Sequence, residues 1–206
     1  MPSLEVGSSY MRKSDEETIR TFICIEIPTS IKQRIEALQR SLRRTDAQVS
    51  WVKVSNIHLT LKFLGDVVAS RIERLHGAVE RGARAISQFE IEVGGAGCFP
   101  SSRSPRVVWI GLTHVSETLA RLHERIEDEL AAEGFDRESR EFSPHLTIGR
   151  VRAPHNARQL AEALVSDSFG PECFRATEII VMRSDLKPTG AVYSPLAIIK
   201  LAEHVA

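Results

Sequence analysis

One tripeptide occurs twice in this chain, and its two settings constrain the fold more than any other feature. His58-Leu59-Thr60 opens the run His58-Leu59-Thr60-Leu61-Lys62-Phe63-Leu64-Gly65, and His145-Leu146-Thr147 opens the run His145-Leu146-Thr147-Ile148-Gly149-Arg150. Both runs are largely apolar and of strand length. Strand side chains alternate between faces. The His and Thr of each copy therefore share one face, while Leu59 and Leu61, and Leu146 and Ile148, point the other way into a core. A single His-x-Thr is a weak signal, because short motifs recur by chance and a lone strand His is usually structural. The pair weighs more because both copies occupy the same step of an internal repeat.

Residues 21–27 are rich in β-branched and aromatic side chains and predict a strand that Pro28 ends. Thr29 or Ser30 is positioned to cap a helix in which Ile31, Ile35, Leu38 and Leu42 recur at helical spacing. A short extended piece over 49–54 contains Trp51. The first His-x-Thr strand follows, and Gly65-Asp66 is expected to stop it. A helix over 71–86, a strand over 89–93 and a strand over 107–112 complete one pass. Gly94-Gly95-Ala96-Gly97 lacks the spacing of a phosphate-binding loop and reads as a bulge or a close backbone approach. The second pass brings a helix over 117–133 with Gly134 as its C-cap, then a linker with Phe142 and Pro144. The second His-x-Thr strand, a helix over 156–165 and a strand over 174–182 come next. A turn at 187–190 leads to a last strand over 192–201, which Pro195 marks as an edge or a bulge.

Strand, helix, His-strand, helix, strand, strand thus runs twice, over about 21–112 and 107–201. The expected fold is α+β, with two pseudo-symmetric lobes of antiparallel sheet flanked by helices and an active-site cleft between them. Residues 20–206 make one bilobal domain, and 1–19 are a polar leader. Lys+Arg and Asp+Glu both number 27, so the formal net charge is zero. That balance argues against a protein coating duplex nucleic acid through a broad basic face. Cys24, Cys98 and Cys173 form no Cys-x-x-Cys pair and suggest reduced thiols in a cytoplasmic setting, with Cys24 in the core. No apolar run is long enough to span a membrane.

Two imidazoles suit a phosphodiester. The reaction needs a base for the nucleophile, an acid for the leaving oxygen and donors to the non-bridging oxygens. Histidine titrates near neutral pH, so one ring can be neutral while the other is protonated. Thr60 and Thr147 supply hydroxyl donors. A metal is the competing reading, but no His-Glu-x-x-His occurs and the copies carry no matching carboxylate. His76, His114, His123, His155 and His204 form no cluster in sequence and read as surface or helix residues. No Gly-x-Ser-x-Gly is present.

The residues resemble the 2H phosphoesterase superfamily, and within it the RNA 2′,3′-cyclic phosphodiesterase branch, also described as 2′-5′ RNA ligase-like. The resemblance covers nearly all of the chain after the leader. It rests on Arg20-Thr21-Phe22-Ile23, the run from Asn56 to Gly65, Phe99-Pro100, the run from Pro105 to Trp109, the run from Pro144 to Val151, and Arg183-Ser184. It implies that His58 is the proton donor to the leaving ribose 3′ oxygen and that His145 is the proton acceptor from water. RNA or nucleotide 2′,3′-cyclic phosphate ends would become 2′-phosphates. With an RNA 5′-hydroxyl in place of water, a 2′-5′ linkage forms. Arg150 matches a phosphate-contacting position, although plain alternation places it opposite His145 unless a bulge at Gly149 intervenes. Its counterpart in the first copy, Phe63, is expected in the core. Trp51, Phe142 and Tyr193 are candidates to stack on a base. No metal or cofactor is implied, no membrane partner is expected, and the chain should act as a monomer. The alternative is a non-catalytic RNA-end or nucleotide-binding module.

Overall fold

A computed structural model describes residues 17–167 and 169–203. In chain order the elements are β1 (Thr18–Glu26), α1 (Thr29–Leu42), β2 (Val49–Trp51), β3 (His58–Val68), α2 (Ile72–Ala83), β4 (Phe89–Phe99), β5 (Val107–Leu112) and α3 (Glu117–Ala132). They continue with β6 (Leu146–Val151), α4 (Ala157–Ser166), β7 (Glu172–Ala176), β8 (Glu178–Lys187) and β9 (Gly190–Lys200). All the strand pairings are antiparallel. One sheet has the order β3-β1-β8-β9 and the other β2-β6-β5-β4-β7. The class is α+β with two sheets, as expected. Each sheet draws on both passes of the repeat, so the last two strands complete the sheet that the first strand begins.

Helix α1 buries Ile31, Ile35, Leu38 and Leu42, the side predicted by their spacing. Its cap differs from expectation. Pro28 occupies the N-cap in an extended conformation, Thr29 is already helical, and no side chain caps the end. Ser116 does cap α3, accepting the Leu119 N–H at 3.3 Å. Gly134, at φ +75°, reverses the chain so that the Phe135 N–H reaches the Leu130 carbonyl at 3.0 Å. The apolar sides of the helices and one face of each sheet share a single core. It includes Leu59, Leu61, Leu146 and Ile148, the residues that alternation directed inward. Each such buried aliphatic contributes about 1.5–3 kcal/mol. A smaller cluster of Phe22, Cys24, Ile180 and Met182 lies apart from this core, on the face of sheet one that carries His58.

Three expectations are corrected. Gly65 does not stop β3, which continues to Val68 with Gly65 at φ +69° inside it. The run 174–182 is two strands in different sheets, divided at Thr177, where the chain crosses from sheet two to sheet one. Of the leader expected over 1–19, residues 1–16 lie outside the described residues, and Thr18 and Ile19 already pair with Val68 and Val67 in β1. Among the described residues no helix is long and apolar enough to cross a membrane.

Candidate active site

The strands carrying the motifs are both bulged at the same step. In β3, Cys24 of β1 faces Thr60 while Ile23 faces Lys62, so Leu61 is the extra residue. In β6, Trp109 of β5 faces Thr147 while Val108 faces Gly149, so Ile148 is the extra residue. An extra residue shifts the alternation by one. Phe63, opposite Phe22, therefore returns to the face of His58 and Thr60. Arg150, opposite Val107, returns to the face of Thr147. Lys62 and Gly149 turn inward instead. A bulge thus does resolve the parity conflict over Arg150, one residue before Gly149. Gly149 has its own reason to be glycine, since a Cβ there would stand 2.7 Å from Val49 Cγ1 and 3.1 Å from Trp51 Cε3.

The His145 imidazole is tied to the carbonyl two residues earlier. His145 Nδ1 lies 2.7 Å from the Ser143 carbonyl oxygen. A carbonyl only accepts, so Nδ1 carries a proton and Nε2 is left for a ligand. In the first copy the Asn56 backbone favours the charged form of His58. Asn56 is itself anchored, donating from Nδ2 to the Ala191 carbonyl at 2.8 Å. His58 lies face-on against Phe22, with centroids 4.6 Å apart, and edge-on to Tyr193 at 5.5 Å. This burial lowers its pKa from 6.5 to about 4, against the opposing pull of the Asn56 backbone. His58 is therefore neutral at pH 7. His145 is packed more openly, edge-on to Phe99 at 5.1 Å.

Thr60, His145, Thr147 and Arg150 line one cavity of about 570 Å³, together with Phe63, Phe99, His123 and Phe142. His58 lies outside this lining, on the same face of β3 as Thr60. Strands β3 and β6 approach each other across the boundary between the sheets. Arg140 in the cavity wall is paired with Glu138 at 2.8 Å, whereas Arg150 has no ion-pair partner among the described residues. It offers an uncompensated guanidinium to an anion. Burial raises the pKa of the Tyr193 phenol, and the nearby Arg150 charge works against that shift. The described residues contain no group of three or more His, Cys, Asp or Glu side chains arranged as metal ligands.

Two cavity residues escape the sequence reading. Phe63 is not core but 64% exposed, because the Leu61 bulge swings it outward. His123, expected as a surface or helix residue, is in α3, and its place in the cavity does not follow from the sequence. It lines the cavity and stacks on Phe142 at 3.8 Å. Among the stacking candidates, Phe142 lines the cavity and Tyr193 abuts His58. Trp51 lies beneath Arg43 and packs on the core. His204 lies outside the described residues.

Two antiparallel sheets, each presenting a His-x-Thr strand toward a common cleft, define the class of the two-histidine phosphoesterases. The chain belongs to the 2′-5′ RNA ligase superfamily, whose family model matches residues 27–188. A similar protein from Methanothermobacter thermautotrophicus, named RNA 2′,3′-cyclic phosphodiesterase, is 36% identical over 185 residues, covering 89% of this chain and 99% of its own. One of the same name from Thermotoga maritima is 34% identical over 179 residues, covering 86% and 93%. Among solved structures, E. coli LigT complexed with 3′-AMP superposes with a TM-score of 0.72 at 26% identity, covering 91% of this chain and 100% of that one.

Proposed function

We propose that this chain hydrolyses 2′,3′-cyclic phosphate ends of RNA or nucleotides to 2′-phosphates by metal-free acid/base catalysis. Similar proteins carry the name RNA 2′,3′-cyclic phosphodiesterase. The observation that carries the assignment here is the matched pair of bulged His-x-Thr strands, whose threonines line one cavity together with His145 and Arg150. His145 Nε2 takes a proton from water as the water oxygen bonds to phosphorus. The bond from phosphorus to the ribose 3′ oxygen breaks, and His58 gives that oxygen its proton. Thr60, Thr147 and Arg150 donate to the non-bridging oxygens, where negative charge grows in the transition state. Phe63 offers an exposed ring for the terminal base. An RNA 5′-hydroxyl in water's place yields a 2′-5′ linkage by the same displacement.

The low pKa of His58 suits this role once substrate is bound. A phosphate anion beside a buried imidazole favours its charged form and raises its pKa toward neutrality. Anion binding is then coupled to proton uptake, and the 2′-phosphate product should bind more tightly as pH falls from 8 to 6.

The test is an RNA dinucleotide ending in a 2′,3′-cyclic phosphate. The expected product is the 2′-phosphate, formed at an unchanged rate in excess chelator. His58→Ala and His145→Ala should each lose at least about 10²-fold in kcat. Phe63→Ala should raise KM with little change in kcat. Binding without product, a 3′-phosphate product, or loss of turnover on chelation would each overturn the proposal.

A further inference from the structure

We infer that the buried Lys62–Glu127 ion pair is a positioning device for His145, clamping the segment 136–145 to the strand that carries the first motif. It rests on the reading of His145 as proton acceptor.

The bulge at Leu61 turns Lys62 inward, and the side chains of Lys62 and Glu127 are 4% and 5% exposed. Lys62 Nζ donates to Glu127 Oε1 and Oε2 at 2.7 Å each and to the Asp136 carbonyl at 2.8 Å. An ammonium has three N–H donors, and these three acceptors use all of them. Glu127 Oε2 also accepts the Glu138 N–H at 3.1 Å. One helical turn before Glu127, His123 stacks on Phe142, with its Nε2 3.8 Å from Glu127 Oε1.

The segment 136–145 has no helix or strand of its own to fix its course. It is held instead at residues 136, 138 and 142. Pro144 is buried, and His145 closes the series through its bond to Ser143. The far end of the same clamp is Lys62, two residues after Thr60. The pair therefore links α3, the segment that delivers one imidazole, and the strand that delivers the other. Stability alone is a poor account of it, because a buried ion pair is often no more stabilising than apolar residues of the same volume. Catalytic geometry is a better one, since a displacement of about 1 Å can cost on the order of 10²-fold in rate.

The experiment replaces both charges together, as K62M/E127L, and follows thermal unfolding and turnover of a 2′,3′-cyclic mononucleotide. The clamp predicts a melting temperature at or above wild type, kcat lower by roughly 10- to 100-fold, and KM within about threefold. A folded double variant with kcat within twofold of wild type overturns the inference. Inactive wild-type protein would instead overturn the functional reading. If the double variant does not fold, Glu127→Gln decides, with hydrogen exchange read over 136–145. Faster exchange there with a matching fall in kcat supports the clamp. Unchanged exchange, or faster exchange at wild-type kcat, overturns it.

Discussion

At the residue scale, His58 makes a claim that can be read without substrate. Its pKa is about 4 in the folded chain against 6.5 for the free side chain. Between those values the unfolded chain binds a proton that the folded chain does not, so stability rises with pH through the window. The contribution is fully present above pH 6.5 and is lost as pH falls toward 4. Its upper bound is about 3 kcal/mol, with water at the cleft mouth reducing it. His58→Gln removes the titration. The stability of wild type relative to this variant, measured by urea unfolding, should fall between pH 7 and pH 4.5. Carboxylates that titrate over the same range cancel in the difference. A gap independent of pH would mean that the ring is not buried as described. The same residue shows what alternation can reveal. That His58 and Thr60 share a face, and that Leu59 opposes them, follows from a period of two. That His58 would be packed between Phe22 and Tyr193 does not, because those rings arrive from strands 36 and 135 positions away in the sequence.

At the element scale, what the sequence hid is the pair of bulges. Each lies inside a run of strand-forming residues, and neither Leu61 nor Ile148 is a residue type that announces an extra position. Period-two reading beyond the bulge therefore inverts every side chain, which is why Phe63 seemed buried and Arg150 seemed to face away. Gly149 is the one local trace, and its role is in packing. β2 runs beside β6 with Trp51 opposite Gly149 and Ser50 opposite Arg150. A methyl group at 149 would press on Val49 and Trp51 and push the two strands apart. Gly149→Ala should cost about 1–3 kcal/mol of stability and should raise KM, because Arg150 follows directly. Arg150→Ala should raise KM without that loss of stability. If Gly149→Ala kept wild-type stability and KM, the register deduced for β6 would be wrong.

At the scale of the whole molecule, the repeat was legible but the exchange of strands was not. The two passes look like two lobes in sequence. In the fold, β8 leaves the second pass to pair with β1 and carries β9 on its far side, and β5 and β4 of the first pass stand beside β6 and β7. The crossing at Thr177 has no Gly or Pro to mark it, since β-forming residues continue on both sides. The consequence is thermodynamic. Neither sheet can be completed from a continuous half of the chain, and the main core takes residues from both sheets. The lobes should therefore unfold together, as a single cooperative unit. Reporters for the two sheets already exist in the chain. Trp51 and Trp109, the only tryptophans, both lie in sheet two. Cys24 is fully buried in sheet one, where burial raises its thiol pKa to about 12 and suppresses its reactivity until the strand opens. Urea unfolding followed by tryptophan fluorescence, and by pulse labelling of Cys24 resolved by peptide mass, should give one coincident midpoint. Two separated midpoints would show that the sheets are independent units, and a shared cleft could not then be held in fixed geometry by the strand exchange.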